Sequence, residues 1–238
     1  MVRLFGDWQT TRSPVKQEIE EDILPPALLT EEKVREISRD KEQVHLVIGF
    51  LGTTLKDPDR FGLEVLDTIL SGQSGRLFTE LRDKQSLAYS LSSFSFFGLD
   101  TGAFGIYIGT SPEKKQQAIE SVWRELKSIR TEKVGEEELN RAKNILISQY
   151  ELAMQTHSAQ ALELGLNETY GLGQDYGNRY INAVREIEAA QVLEVARKYI
   201  RPEAYVLVAV GAGLADRTRQ PEDGSMGSSA EPDGQGRR

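Results

Sequence analysis

The 238-residue sequence predicts an α+β fold, with a mixed, largely antiparallel sheet and helices packed mainly on one face. Three observations lead to this prediction. Short β-branched runs lie before and after the helical segments, a glycine-containing hairpin separates two further strands, and most helices are bunched late in the chain. A regular alternation of strands and helices would instead indicate a doubly wound parallel sheet.

Four segments are predicted as strands. Residues 44–51 form an almost wholly apolar run, which is typical of a strand buried on both faces. Residues 87–97 and 103–110 flank the loop Gly98–Gly102, whose glycines and aspartate favour a tight hairpin. Residues 204–210 (AYVLVAV) are predicted as the last buried strand.

The helices are predicted from apolar spacing and from end signals. Pro58 begins an apolar helix that Gly72 ends. Ser111 and Pro112 precede a helix with one apolar stripe, formed by Ala118, Ile119, Val122, Trp123, Leu126 and Ile129. The remaining helical segments are 136–156, 158–170, 175–184 and 189–199. The first of these begins with three glutamates, which suit the positive end of the helix dipole.

One compact domain is predicted over residues 31–213, because no linker interrupts it. Residues 1–30 are expected to form an extended arm, with Phe5 and Trp8 as anchors onto another surface. Residues 214–238 are expected to be a disordered tail, since they are rich in Gly, Ser, Pro and Asp.

Composition excludes several classes of function. The net charge of −8 argues against a nucleic-acid partner, and the absence of cysteine removes disulfides and thiol nucleophiles. No signal peptide is recognisable at the start, and no apolar run is long enough to cross a membrane. We therefore expect a soluble chain, cytoplasmic as given, although a parent protein could be exported.

No metal or cofactor site is predicted within this chain. The two histidines, His45 and His157, belong to neither of the helical zinc-protease signatures H-E-x-x-H and H-x-x-E-H, and a catalytic zinc normally needs three protein ligands. The loop Gly72–Gly75 lacks the Lys of a P-loop and the third Gly of a dinucleotide fingerprint, so it is interpreted as a loop before a helix.

The segment Ser71–Ser90 carries the strongest functional signal. It places Arg82 near the end of a short helix and Tyr89 at the start of a strand. A guanidinium and a phenolic hydroxyl are donors suited to a substrate oxygen on which negative charge develops. The alternative is structural: Arg82 would pair with a neighbouring carboxylate and Tyr89 would pack in the sheet.

This segment, SGRLFTELRDKQSLAYS, resembles the metal-free second half of the pitrilysin/insulinase family of zinc metallopeptidases, especially the bacterial processing-peptidase-like members. Further matches are FGDW, KEQVHLVIGF, TSPEKKQQAI, EEELNRAKNILISQYE and YVLVAVG, which together extend from Phe5 to Gly211. The resemblance implies that Arg82 grips substrate backbone and that Tyr89 hydrogen-bonds the scissile carbonyl. Gly72, Ser74 and Gly75 are expected to be further substrate contacts.

The resemblance also implies a partner. In the family, an N-terminal half binds zinc through H-x-x-E-H, which this sequence lacks, so the chain is expected to be inactive alone. We expect it to be the C-terminal half of a peptidase, either as a fragment or as a separate subunit, with a peptide as substrate. A non-catalytic scaffold of the same family is the alternative, a homodimer of the isolated half is also open, and a small-ligand module is disfavoured.

Overall fold

The computed structural model describes residues 29–72, 74–214 and 217–219. Within these ranges, six strands form one sheet in the order β3-β4-β2-β5-β1-β6. The strands are β1 (Lys33–Ser38), β2 (Val44–Leu51), β3 (Ser90–Phe97), β4 (Gly102–Thr110), β5 (Val206–Gly211) and β6 (Arg217–Arg219). Only β1 and β5 pair in parallel, and every other neighbouring pair is antiparallel. The predicted mixed, largely antiparallel sheet is confirmed.

The α-helices are α1 (Asp59–Leu70), α2 (Lys115–Thr131), α3 (Glu136–Ala153), α4 (His157–Thr169), α5 (Tyr176–Glu186) and α6 (Ala189–Tyr199). A π-helical segment, Phe78–Lys84, precedes β3, and a 3₁₀ turn, Pro112–Lys114, leads into α2. These positions agree with the predicted helices to within a few residues. Among the described residues, no helix combines the length and apolar character needed to cross a membrane.

The core lies between one face of the sheet and the helices. Along β2 the side chains alternate, so that Val44, Leu46 and Ile48 are fully buried while their neighbours are exposed or half-buried. The expectation that this strand is buried on both faces is therefore wrong for the described residues. The residues of β4 and β5 that pair with these buried β2 residues point to the same face of the sheet. They are buried together with apolar side chains of α1, α2 and α6. The predicted packing of helices on one face is therefore confirmed.

Two strands were not predicted. β1 (KVREIS) has only two apolar residues, and it joins the sheet through backbone pairing with β5. β6 pairs with β1 at residues 217–219, inside the segment expected to be a disordered tail, so that expectation is wrong for these three residues. Pairing of main-chain groups needs little from the side chains, which is why the sequence pattern missed both strands. Residues 1–28 lie outside the described part, and the proposed domain limits stay a prediction.

Candidate functional site

The backbone geometry of the loop after α1 requires glycine at two positions. Gly72 has a φ of +78°, a conformation that residues with a Cβ rarely adopt. Gly75 is buried, and a Cβ at this position would lie 2.0 Å from the carbonyl oxygen of Ser71. The next residue, Arg76, anchors the chain to α3 through two hydrogen bonds to Glu138, of 2.8 and 2.7 Å. The loop is therefore a tight, fixed turn.

Ser71 attaches this loop to the edge strand β3. Its Oγ accepts a hydrogen bond from the backbone N–H of Ser93 at 2.9 Å and donates to the carbonyl of Ser93 at 3.2 Å. The N–H and the carbonyl of Ser93 thus point away from β4, at the outer edge of the sheet. The hydroxyl of Ser71 provides a hydrogen-bond partner for both. These hydrogen bonds join the loop to the middle of the edge strand.

A cleft of about 850 Å³ lies between α1, α3 and this part of β3. Two of the predicted substrate contacts, Gly72 and Ser74, line it, whereas Gly75 lies buried outside the lining. The other lining residues are Glu64, Asp67, Thr68, Ser71, Ser93, Ser95, Phe97, Ile145, Leu146 and Gln149. A cleft of this volume with a mixed polar and apolar lining is large enough to hold a small ligand.

Two carboxylates in the cleft differ in their surroundings. Glu64 accepts hydrogen bonds from Arg60 at 3.0 Å and from the hydroxyl of Tyr180 at 2.7 Å, so its charge is compensated. Asp67 accepts a short hydrogen bond from the hydroxyl of Ser93, and no basic side chain of the described residues pairs with it. Burial raises the pKa of Asp67, while hydrogen bonding from Ser93 and Ser95 works in the opposite direction.

Arg82 lies on the π-helical segment, exposed to solvent. Its guanidinium carbon is 4.8 Å from the centre of the Phe78 ring, which it covers in a cation–π contact. The neighbouring carboxylate of Glu80 is bound by Lys84 at 2.5 Å instead. Arg82 is an exposed residue, and within the described residues its guanidinium has neither a hydrogen bond nor an ion pair. Among the described residues, Arg82 therefore does not pair with a nearby carboxylate, as the structural alternative required.

The chain between Arg82 and Tyr89 is held tightly. Ser86 adopts a φ of +52°, the left-handed region, and its N–H donates to the carbonyl of Arg82 at 3.0 Å. Leu87 and Ala88 are buried, and the hydroxyl of Thr110 donates to the carbonyl of Leu87 at 2.5 Å. The segment is thus pinned to the core directly before Tyr89.

Tyr89 immediately precedes β3, and its side chain is 58% exposed. Its N–H donates to the carbonyl of Gly109 at 2.8 Å, so the backbone is fixed on β4. The phenolic hydroxyl has no partner among the described residues. Tyr89 therefore does not pack in the sheet as the structural alternative required, and it offers a free donor on a rigid support.

The sequence model of the peptidase M16 inactive domain matches residues 1–146, well over half of the chain. The chain belongs to this family. An uncharacterized zinc protease of Rickettsia bellii is 29% identical over 172 residues, which cover 71% of this chain and 41% of that protein. A Rickettsia felis protein of the same description is 33% identical over 169 residues, 68% of this chain and 40% of its own length.

A solved structure shows the same fold. The crystal structure of a peptidase M16 inactive domain from Pseudomonas fluorescens superposes with a TM-score of 0.72 at 24% sequence identity, over 81% of this chain and 46% of that one. The predicted resemblance to the metal-free half of zinc metallopeptidases is confirmed. This M16 inactive domain spans less than half the length of the curated relatives that it matches.

The histidines of this M16 inactive domain lie apart from the cleft. His45 is exposed on β2, and its Nδ1 lies 2.7 Å from the hydroxyl of Tyr107, while His157 is the first residue of α4. In the described part of the chain, no group of three or more His, Cys, Asp or Glu side chains is placed to hold a metal ion. The described residues therefore do not fit a zinc site.

Sequence reasoning missed Asp67 and Ser93 of the cleft. Asp67 lies within the apolar helix α1, where its spacing from the other acidic residues forms no known motif, and Ser93 lies in a serine-rich strand. They come together because the end of α1 packs against the edge of β3. The only available signal was an acidic residue on the side of α1 that also carries buried leucines.

Proposed function

We propose that this chain is the substrate-binding, metal-free half of a two-part zinc metalloendopeptidase. The observation that carries the proposal is the state of Arg82 and Tyr89: both side chains are exposed, and neither has a hydrogen bond within the described residues. A residue kept for stability normally has partners in its own domain. The guanidinium of Arg82 and the hydroxyl of Tyr89 are held by a fixed backbone and have no hydrogen-bond partner in the described residues. They are therefore suited to bind a ligand from outside the domain.

The arrangement along β3 supports a peptide as this ligand. Tyr89 and Ser93 are four residues apart, which corresponds to about 13 Å along a strand. An extended peptide lying beside β3 would therefore reach from Tyr89 into the cleft within about four of its own residues. Tyr89 would donate to the scissile carbonyl as it becomes an oxyanion, and Arg82 would bind backbone carbonyls on either side.

The cleft would hold the adjoining part of the substrate. Gly72 and Ser74 line it, and Gly75 contributes by shaping the turn rather than by contact. The exposed backbone at Gly72 leaves room for a peptide chain to approach closely.

The partner would be an N-terminal M16 half that carries the zinc ligands missing from this chain. Zinc bound there would supply Lewis acidity and an activated water molecule. The residues of this chain would bind and orient the peptide and stabilise negative charge on the carbonyl oxygen. In isolation, the chain is expected to have no peptidase activity.

The test is kinetic and uses the chain reconstituted with its zinc-bearing half. Tyr89→Phe removes a hydroxyl that has no described partner, so folding and partner binding should be unchanged. Loss of one oxyanion donor should lower kcat about 100- to 1000-fold, or about 3–4 kcal/mol, with a smaller effect on KM. Tyr170→Phe, at another exposed tyrosine, is the matched control and should leave kcat unchanged.

Arg82 is tested in the same assay. Arg82→Ala should raise KM and lower kcat, because its contacts would exist in both the bound peptide and the transition state. Arg82→Lys should restore only part of the activity, since an ammonium lacks the planar fork. Arg141→Ala, at an exposed arginine on α3, is the control. Wild-type kinetics in both Tyr89→Phe and Arg82→Ala would refute the proposal and favour a scaffold role.

A further inference from the structure

The charge inside the cleft between α1, α3 and β3 is not balanced by the described residues. Two acidic side chains line the cleft, and no Lys, Arg or His of the described part does. Glu64 is paired with Arg60, a buried residue, at 3.0 Å. Asp67 accepts a hydrogen bond from the hydroxyl of Ser93, and no basic side chain of the described residues pairs with it. One negative charge in the cleft is therefore left without a counter-charge.

Two arginines near the cleft do not supply this counter-charge. Arg76, which follows the loop after α1, donates both of its hydrogen bonds to Glu138. Arg141 lines a separate small cavity beside Glu138 and is absent from the lining of the cleft. A buried carboxylate is stabilised by a cation placed against it. Here a ligand would have to bring that cation to Asp67.

The walls of the cleft suit a long basic side chain. Three apolar residues form part of the lining, Phe97, Ile145 and Leu146. The methylene stem of a lysine or arginine packs on such a surface while its charged end reaches a polar group. Ser74 and Gln149 add a hydroxyl and an amide oxygen that accept hydrogen bonds from an ammonium or a guanidinium. An acidic side chain would be repelled by Asp67, and an apolar one would leave its charge uncompensated.

We infer that the cleft binds a lysine or arginine side chain of the peptide substrate, with the cationic end at Asp67. The inference rests on the proposed function, since it takes the peptide to lie beside β3. Tyr89 and Ser93 are about 13 Å apart along the strand, and the hydroxyl of Ser93 reaches Asp67. The preferred basic residue should therefore lie about four positions from the scissile bond.

The kinetic test uses the chain reconstituted with its zinc-bearing half. Fluorogenic peptides carry lysine, arginine, norleucine or glutamate at a single position, which is scanned along both sides of the cleaved bond. Norleucine keeps the stem of lysine and lacks its ammonium group. At one position, lysine and arginine should raise kcat/KM roughly 10- to 100-fold over norleucine, because a hydrogen bond to a charged group contributes on this scale. Glutamate should give the lowest value.

A pair of variants locates the effect. Asp67→Asn removes the charge but can still accept the hydrogen bond from Ser93, and it should abolish the preference for lysine over norleucine. Asp40→Asn makes the same chemical change at an exposed aspartate between β1 and β2, and it should keep the preference. Circular dichroism checks that both variants are folded. If Asp67→Asn does not fold, the comparison of lysine with norleucine peptides in the wild type still decides.

A titration of the chain alone separates this inference from the proposed function. Acetyl-lysine methylamide and its norleucine counterpart are added to the isotope-labelled chain, and amide signals are followed by NMR. The lysine probe should shift the signals of cleft residues such as Gly72 and Ser93 in the wild type, and this shift should be lost in Asp67→Asn. The norleucine probe should leave these signals in place.

The outcomes are distinguishable. Equal kcat/KM for lysine and norleucine at every position, with Tyr89→Phe still lowering kcat, would overturn the inference and leave the proposed function intact. A preference for lysine that persists in Asp67→Asn would also overturn it. If Tyr89→Phe and Arg82→Ala leave cleavage unchanged, the proposed function fails. The titration then decides whether the cleft is a site for a basic side chain, and equal shifts with both probes would show that it is not.

Discussion

Ser71 offers the sharpest test of how the candidate site is held together. Its hydroxyl makes hydrogen bonds of 2.9 and 3.2 Å with the N–H and the carbonyl of Ser93, a residue that is only 7% exposed. Ser71→Ala leaves both groups of Ser93 without this partner. An unsatisfied buried donor costs about 1–3 kcal/mol.

The adjoining cleft reduces this cost, because a water molecule can enter and replace part of the lost bonding. We therefore expect Ser71→Ala to lower the free energy of unfolding by about 1–2 kcal/mol. For a domain of this size, that corresponds to a fall in Tm of about 2–8 °C. Hydrogen exchange at the Ser93 amide should also become faster.

The measurement is urea unfolding followed by circular dichroism, with thermal melting as a second readout. Ser74→Ala is the matched control: it makes the same chemical change in the same loop, at an exposed serine without a described side-chain hydrogen bond. If the two variants differ in stability by less than about 0.5 kcal/mol, the idea that Ser71 holds the edge strand is wrong.

The remaining predictions concern Asp67, Ser86 and metal binding. Burial raises the pKa of Asp67 in the folded state above its value in the unfolded state. The folded state therefore loses stability relative to the unfolded state as the pH rises towards and through the folded-state pKa. Asp67→Asn should therefore gain stability relative to wild type as pH is raised from about 4 to neutrality, and a difference in unfolding free energy that is independent of pH would contradict this. Ser86→Gly should stabilise the domain by about 0.5 kcal/mol, because it relieves a left-handed serine, whereas Ser92→Gly in β3 should destabilise it. After dialysis against zinc, the purified chain should retain no stoichiometric metal, and one tightly bound ion per chain by elemental analysis would refute the assignment of zinc to the partner half.

Local patterns in the sequence were sufficient for the elements that bury their own side chains. The strand β2 was predicted from its apolar run and the helix α2 from its apolar stripe, because burial requires apolar side chains at these positions. α6 was predicted with its bounds intact, from Ala189 to Tyr199. The segment with Arg82 and Tyr89 was also recognisable, since its residues are contiguous in the sequence.

Only the tertiary structure decided how these parts meet. β1 joins the sheet by main-chain pairing with β5, which lies more than 160 residues later in the chain. This pairing imposes little pattern on the side chains of β1. The cleft exists because the end of α1 packs on the edge of β3 and brings Asp67 and Ser71 to Ser93. Whether Arg82 and Tyr89 were paired or free was likewise set by their neighbours in space. Contacts between distant segments depend on the packing of the whole domain, and a single sequence carries no periodic signal for them.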